Sequence, residues 1–277
     1  MKESDQRELG FDARLRNQQR LRRGIYLLPS VFTVANLMCG FYAVIAVLKG
    51  GATDLDYAAL AIGSAIVFDV FDGFVARATH TNTDFGKQFD SLADVVSFGI
   101  APATLAYTWG VHAMLTSDAP QAHHIYQLGW FVSLIYVVCC AWRLARFNVQ
   151  GMAPGGSRFF VGLPTPAAAG LIAASVHAFR APIEDWRWAA AWLALVFIAA
   201  TLMVSAVRYR SFKDIPWANR QHSLTVVVIV FLIGAIVVYS EIVLMLLASA
   251  YVVSGIVWHV VRVARQRFVS HPSRPPA

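Results

Sequence analysis

Apolar residues in this chain fall into long unbroken runs separated by short polar stretches, not into the every-other-residue alternation of a half-buried strand. Each run extends over roughly 18–25 positions, enough for a helix to cross a hydrocarbon core about 30 Å thick. Eight runs are legible, at 26–48, 57–79, 86–111, 124–146, 163–180, 188–206, 223–240 and 242–262. In lipid, backbone N–H and C=O groups must be satisfied within the segment, so such runs are helices. The pattern predicts an all-α integral membrane protein, a bundle of about eight transmembrane helices. The last two runs meet at Ser240-Glu241. A single helix of about 40 residues would overshoot the bilayer, so two spans joined by a tight turn are expected there.

Composition agrees with a lipid solvent: 57% of residues are apolar and 14% charged, against about 25% charged in an average soluble domain. The placement of charge adds orientation. With eight spans assigned alternately, twenty of the 23 Lys and Arg residues gather on one side, and only Lys49, Arg180 and Arg187 fall on the other. By the positive-inside rule both termini are cytoplasmic, as in a multi-pass protein of a bacterial inner membrane. Residues 1–25 form a basic N-terminal segment in which Arg14–Arg23 reads as a short juxtamembrane helix on the anionic leaflet. No small-residue cleavage site follows a short apolar core, so no cleaved signal peptide is expected. The formal charge of +7 is accounted for by this loop bias. With no aromatic-basic stacking platform, nucleic acid is not an expected partner. Cys39, Cys139 and Cys140 all lie in apolar runs and read as packing residues. The tail from 265 to 277 is expected to be disordered.

Two runs break the rule that membrane spans avoid charge. The second contains Asp69 and Asp72, and the third opens with Asp90 and Asp94. A central charge costs about 2.5–3.5 kcal/mol on insertion scales, so four carboxylates require compensation. Spacing shows how they are arranged: i, i+3 in one pair and i, i+4 in the other put each pair on one helix face. Gly73, Ala76 and Arg77 continue the first stripe, and Gly86 begins the second. The short connection between the two runs makes them antiparallel neighbours, so the pairs can face each other near the cytoplasmic surface. Clustered carboxylates call for cations, and hard oxygen ligands favour Mg²⁺ or Mn²⁺ bridging to phosphate. Two such ions could clamp a pyrophosphate in a phosphoryl-type displacement. Small residues at 73, 76 and 86 permit close helix approach or leave room for a flat ligand.

The run Asp69-x-x-Asp72-Gly73-x-x-Ala76-Arg77, eight residues, Gly86-x-x-x-Asp90-x-x-x-Asp94 resembles the signature of the CDP-alcohol phosphatidyltransferases at all eight positions. Stretches 27–43, 89–103, 143–149, 162–170 and 209–214 resemble the CDP-diacylglycerol–serine O-phosphatidyltransferase branch. The resemblance implies a six-helix catalytic core within a membrane domain over residues 26–214. Two additional C-terminal helices, over 215–264, would complete the bundle or a homodimer interface. It further implies that Asp69, Asp72 and Asp90 ligate metal, that Asp94 completes the site and acts as general base, and that CMP leaves. Gly73, Ala76, Arg77 and Gly86 would receive CDP-diacylglycerol. L-serine brings a carboxylate that needs a cation, which Arg143 and Arg146 could supply by bidentate pairing. Other acceptors, such as glycerol 3-phosphate, inositol phosphate or choline, are the alternatives within the family. A cation-coupled transporter is the remote alternative, and it predicts mid-membrane acids and repeated or broken helices.

Overall fold

The computed structural model describes residues 31–79, 83–150, 159–210 and 239–269. These residues form helices α1 (Val31–Lys49), α2 (Ala52–Thr79), α3 (Asp84–Asp94), α4 (Ala101–Val111), α5 (Ala122–Gln150), α6 (Thr165–Phe179), α7 (Trp186–Val204) and α8 (Ser240–Val269). Six segments are long and apolar enough to cross a membrane, with α3, the turn that follows it and α4 counting as one. The exception to helix is a pair of three-residue antiparallel strands, β1 (Phe159–Val161) and β2 (Arg208–Arg210), with Phe160 opposite Tyr209.

Most expected spans appear within a few residues of their predicted limits. The basic segment Arg14–Arg23 and the seventh span, apart from its last two residues, lie outside the described residues. Tyr239 is a bend, Ser240 opens α8, and the helix continues to Val269, so residues 265–269 are helical and not part of an irregular tail.

The expected span at 163–180 is a helix, but a short one: its 15 residues extend about 22 Å, less than the hydrocarbon thickness. Its burial explains how it can be short. Ten of those residues are buried, most of them small or aliphatic, and α2, α4, α7 and α8 pack around it. The backbone leading into it is held by protein partners, as apolar surroundings require. Gly162 N–H donates to Val207 O (2.8 Å) and Leu163 N–H to Leu202 O (2.9 Å). Gly162 has φ +85°, and any Cβ there would press on the Met203 carbonyl oxygen, so glycine is dictated twice over. At the far end of α6, His177 stands between Asp56 of α2 and Ser240 of α8, with its Nε2 2.9 Å from Ser240 Oγ. Arg180 pairs with Glu241 beside it. These polar ties fasten α8 to the core, where Val252 is also buried.

The third span is not one regular helix. Between α3 and α4, residues Val95–Ile100 form a wide π turn, and the Ala101 N–H reaches back five residues to Val96 O. Pro102 supplies the reason. Proline has no N–H, and its ring crowds the carbonyl four residues earlier; a widened turn relieves both. Within the turn, Ser97 and Gly99 are buried against neighbours. Ser97 Oγ donates to Asn36 O (2.9 Å). A Cβ on Gly40 would lie 2.3 Å from Ser97 Oγ and 2.6 Å from Ser97 Cα, so glycine lets α1 lie directly on the π turn. Further along, Gly110 makes the same kind of room for the Trp192 indole, whose N–H donates to Ala106 O (2.9 Å).

The Gly40 contact yields a stability prediction. Gly40→Ala must push α1 off the π turn, because the clash involves backbone and cannot be relieved by a rotamer change. Overpacking of this kind costs about 1–3 kcal/mol, so thermal unfolding of the detergent-purified variant should fall by several degrees. An unchanged melting temperature would contradict the packing described.

Candidate active site

α2 ends at Thr79 and α3 begins at Asp84, with Thr83 as N-cap: its hydroxyl accepts from the Gly86 N–H at 3.0 Å. Asp69, Asp90 and Asp94 converge, each offering a carboxylate oxygen within 4.8 Å of the others. Asp72 is not in that triplet. It is buried, and one oxygen accepts from the Thr33 hydroxyl of α1. The four remain one electrostatic unit, since Asp69 interacts with Asp72, Asp90 with both, and Asp94 with Asp69 and Asp90.

Two cations answer part of that charge. Arg77 and Arg143 both attract Asp69, and Arg143 also attracts Asp94. Arg77 lies one turn beyond Gly73, and its guanidinium folds back so that a Cβ at Gly73 would meet Nη1 at 3.2 Å. The absence of a side chain at 73 therefore gives Arg77 its route along the acid face. Arg143 reaches inward from α5, with Nη1 3.4 Å from Thr165 Oγ1 at the start of α6 and a buried Nε that has no partner among the described residues. Among the described residues, two guanidiniums face four carboxyl groups.

The donor set fits a divalent cation. Three convergent carboxylates are hard oxygen ligands, and Asp72 Oδ1 and Asp90 Oδ1 are buried with no hydrogen-bond donor among the described residues. Buried acceptors left unpaired are costly, and a cation among them would supply what the protein does not.

Other expected site residues are placed as follows. Ala76, half-buried, shares the α2 stripe with Gly73. Gly86 sits in the first turn of α3, where a Cβ would come 3.0 Å from Thr83 Oγ1, so its most direct contact is with the cap. Arg146 points elsewhere than Arg143: its Nη1 is 3.5 Å from Val204 O at the end of α7. The two arginines that the sequence treats as a pair thus meet different hydrogen-bond partners.

The wall contributed by α1 is absent from the sequence reading. Asn36 is fully buried, and its Nδ2 donates to Asp94 Oδ1 at 3.0 Å. Thr33, Asn36 and Gly40 share one face at i, i+3 and i+7, and that face meets Asp72, Asp94 and Ser97 in turn. The available signal was the presence of Thr and Asn inside an apolar run, since buried polar side chains in a span require partners. Ser91, between the two acids of α3, is likewise held, accepting from Asn148 Nδ2 at 2.9 Å.

The family model described as CDP-alcohol phosphatidyltransferase matches residues 26–200, a range that contains the whole acid constellation. A Helicobacter pylori (strain ATCC 700392 / 26695) protein named CDP-diacylglycerol–serine O-phosphatidyltransferase is 31% identical over 214 residues, covering 75% of this chain and 81% of its own. A Mycobacterium leprae (strain TN) protein of the same name is 36% identical over 199 residues, 68% of this chain and 59% of that one. One from Bacillus subtilis (strain 168), again of that name, is 32% identical over 142 residues, 51% and 70% of the two chains. Six helices of spanning length, an acid cluster between two of them and a family match over most of the sequence make this chain a multi-pass membrane protein that belongs to the CDP-alcohol phosphatidyltransferase family.

Proposed function

We propose that this protein is a CDP-diacylglycerol–serine O-phosphatidyltransferase that makes phosphatidylserine at the cytoplasmic face of a bacterial inner membrane. The observation that carries the reading is the convergence of Asp69, Asp90 and Asp94 beside Asp72, in a chain similar to several proteins of that name. Twenty basic residues on the acid side favour the cytoplasmic placement.

In the proposed reaction the serine hydroxyl oxygen attacks the phosphorus that bears diacylglycerol. The bond from that phosphorus to the CMP oxygen breaks, CMP leaves, and the hydroxyl proton passes to Asp94. Asp69, Asp72, Asp90 and Asp94 are the residues that would hold Mg²⁺ or Mn²⁺, in one or two sites. When bound, such ions neutralise charge on the pyrophosphate and stabilise the leaving group. Gly73 and Ala76 leave space beside the acids for the cytidine, and Arg77, drawn back along the stripe, faces the phosphates. Gly86 contributes by shaping the turn that starts α3.

Of the two arginines offered for the serine carboxylate, Arg143 is favoured by its inward reach and by an Nε that has no partner among the described residues. Arg146 is the poorer candidate, because its guanidinium is turned toward the end of α7. The catalytic domain is taken as 26–214, with α8 packed on α6 as part of the same bundle. A homodimer is the proposed assembly.

Three outcomes follow. Asp94→Asn should lower kcat about 10²–10⁴-fold, the usual range for loss of a general base; near-normal turnover would remove Asp94 from that role. Exhaustive chelation should abolish CMP release, and added Mn²⁺ or Mg²⁺ should restore it, whereas activity that survives chelation would rule out the metal reading. Purified protein offered CDP-diacylglycerol with one alcohol at a time should release CMP with serine and not with glycerol 3-phosphate, inositol phosphate or choline. Release with another alcohol alone would reassign the acceptor.

A further inference from the structure

We infer that Asn36 is the positioning residue for Asp94, fixing which carboxylate oxygen faces the incoming alcohol; the inference rests on Asp94 being the base. A carboxyl group turns easily about its last torsion, and Asp94 sits at the last turn of α3, just before the π turn. The Asn36 amide N–H holds Oδ1 at 3.0 Å, which fixes Oδ2 as the oxygen turned away from Asn36. Asn36 is itself immobilised. Its side chain is fully buried, its backbone carbonyl accepts from Ser97 Oγ at 2.9 Å, and Gly40 one turn on lets α1 seat against Ser97. The seating of Asn36 against Asp94 is therefore supported by the close approach of α1 to Ser97 at Gly40 and at the Asn36 carbonyl.

One observation separates this role from a merely structural tie. Asn36 Oδ1 is buried and meets no hydrogen-bond donor among the described residues. An asparagine that served only to join helices would be expected to satisfy both ends of its amide, since an orphaned acceptor is costly. Here the amide is oriented by its contact with Asp94, and its own oxygen meets no donor among the described residues. The neighbouring pair differs in kind: Thr33 meets Asp72 through a hydroxyl that can rotate to suit.

The test is a double-mutant cycle on CMP release from CDP-diacylglycerol and serine with Mn²⁺, comparing the parent, Asn36→Ala, Asp94→Asn and the double variant. Asn36→Ala should lower kcat by about tenfold to a hundredfold, with KM for CDP-diacylglycerol within about twofold, as expected for an effect on proton transfer. In the Asp94→Asn background the same change should cost less than about threefold, because coupled residues are non-additive. Full additivity, or a kcat for Asn36→Ala equal to the parent's, would overturn the inference while leaving Asp94 as base. Normal turnover by Asp94→Asn alone would overturn the base assignment and the inference with it. Should Asn36→Ala fail to give monodisperse protein, Asn36→Ser is the second variant; its hydroxyl can bond back to the carbonyl one turn earlier in the helix, and the same outcomes decide.

Discussion

Mutual repulsion among four carboxylates held in an apolar bundle is the constraint that organises this end of the molecule. Each charge would be costly alone in lipid, and proximity adds to the cost. The surrounding features are answers to that problem. α1 brings the Thr33 hydroxyl to Asp72 and the Asn36 amide to Asp94. α5 sends Arg143 inward, and α2 folds Arg77 back over Gly73. Among the described residues, what is left unanswered is a remainder of negative charge and two carboxylate oxygens without a donor. In the proposed function that remainder is answered by divalent cations, and through them by phosphate, instead of by a closed network of internal ion pairs.

Much of the site was legible because it is local. The spacings of Asp69 with Asp72 and of Asp90 with Asp94 fix helix faces, and a short connection keeps the two acid pairs close enough to converge, with no need of long-range information. Asn36 and Arg143 lie beyond that reach. Asn36 is 58 positions from Asp94, and nothing in its own run says which helix it meets. Arg143 occupies the kind of helix end where basic residues anchor spans in any membrane protein, so its inward turn is a tertiary fact. The split between Arg143 and Arg146 has the same origin, since three residues along a helix are enough to aim one at the acids and the other at α7.

The fold divides in the same way. Hydropathy locates helices because lipid makes the same demand of every span. It overestimates α6, because an apolar run reads alike whether it faces lipid or is enclosed by other helices. The Ala- and Gly-rich sequence of α6 permits that enclosure, with Gly170 close to Ile66 of α2. Its polar ties to Asp56 and Ser240 gather at the end away from the acids, so chemistry and anchorage occupy opposite ends of one short central helix.

The π turn after Asp94 has a consequence for how this span could be altered. A regular helix advances about 100° per residue, so every residue added or removed rotates all that follows. The wide turn at Val95–Ile100 works as a phase adjuster between two helical halves. The half carrying Asp90 and Asp94 can be aimed at α2, while the half carrying Trp109 and Gly110 is aimed independently at α7. Length polymorphism in these six positions would therefore alter the angle between chemistry and packing without changing a single acid.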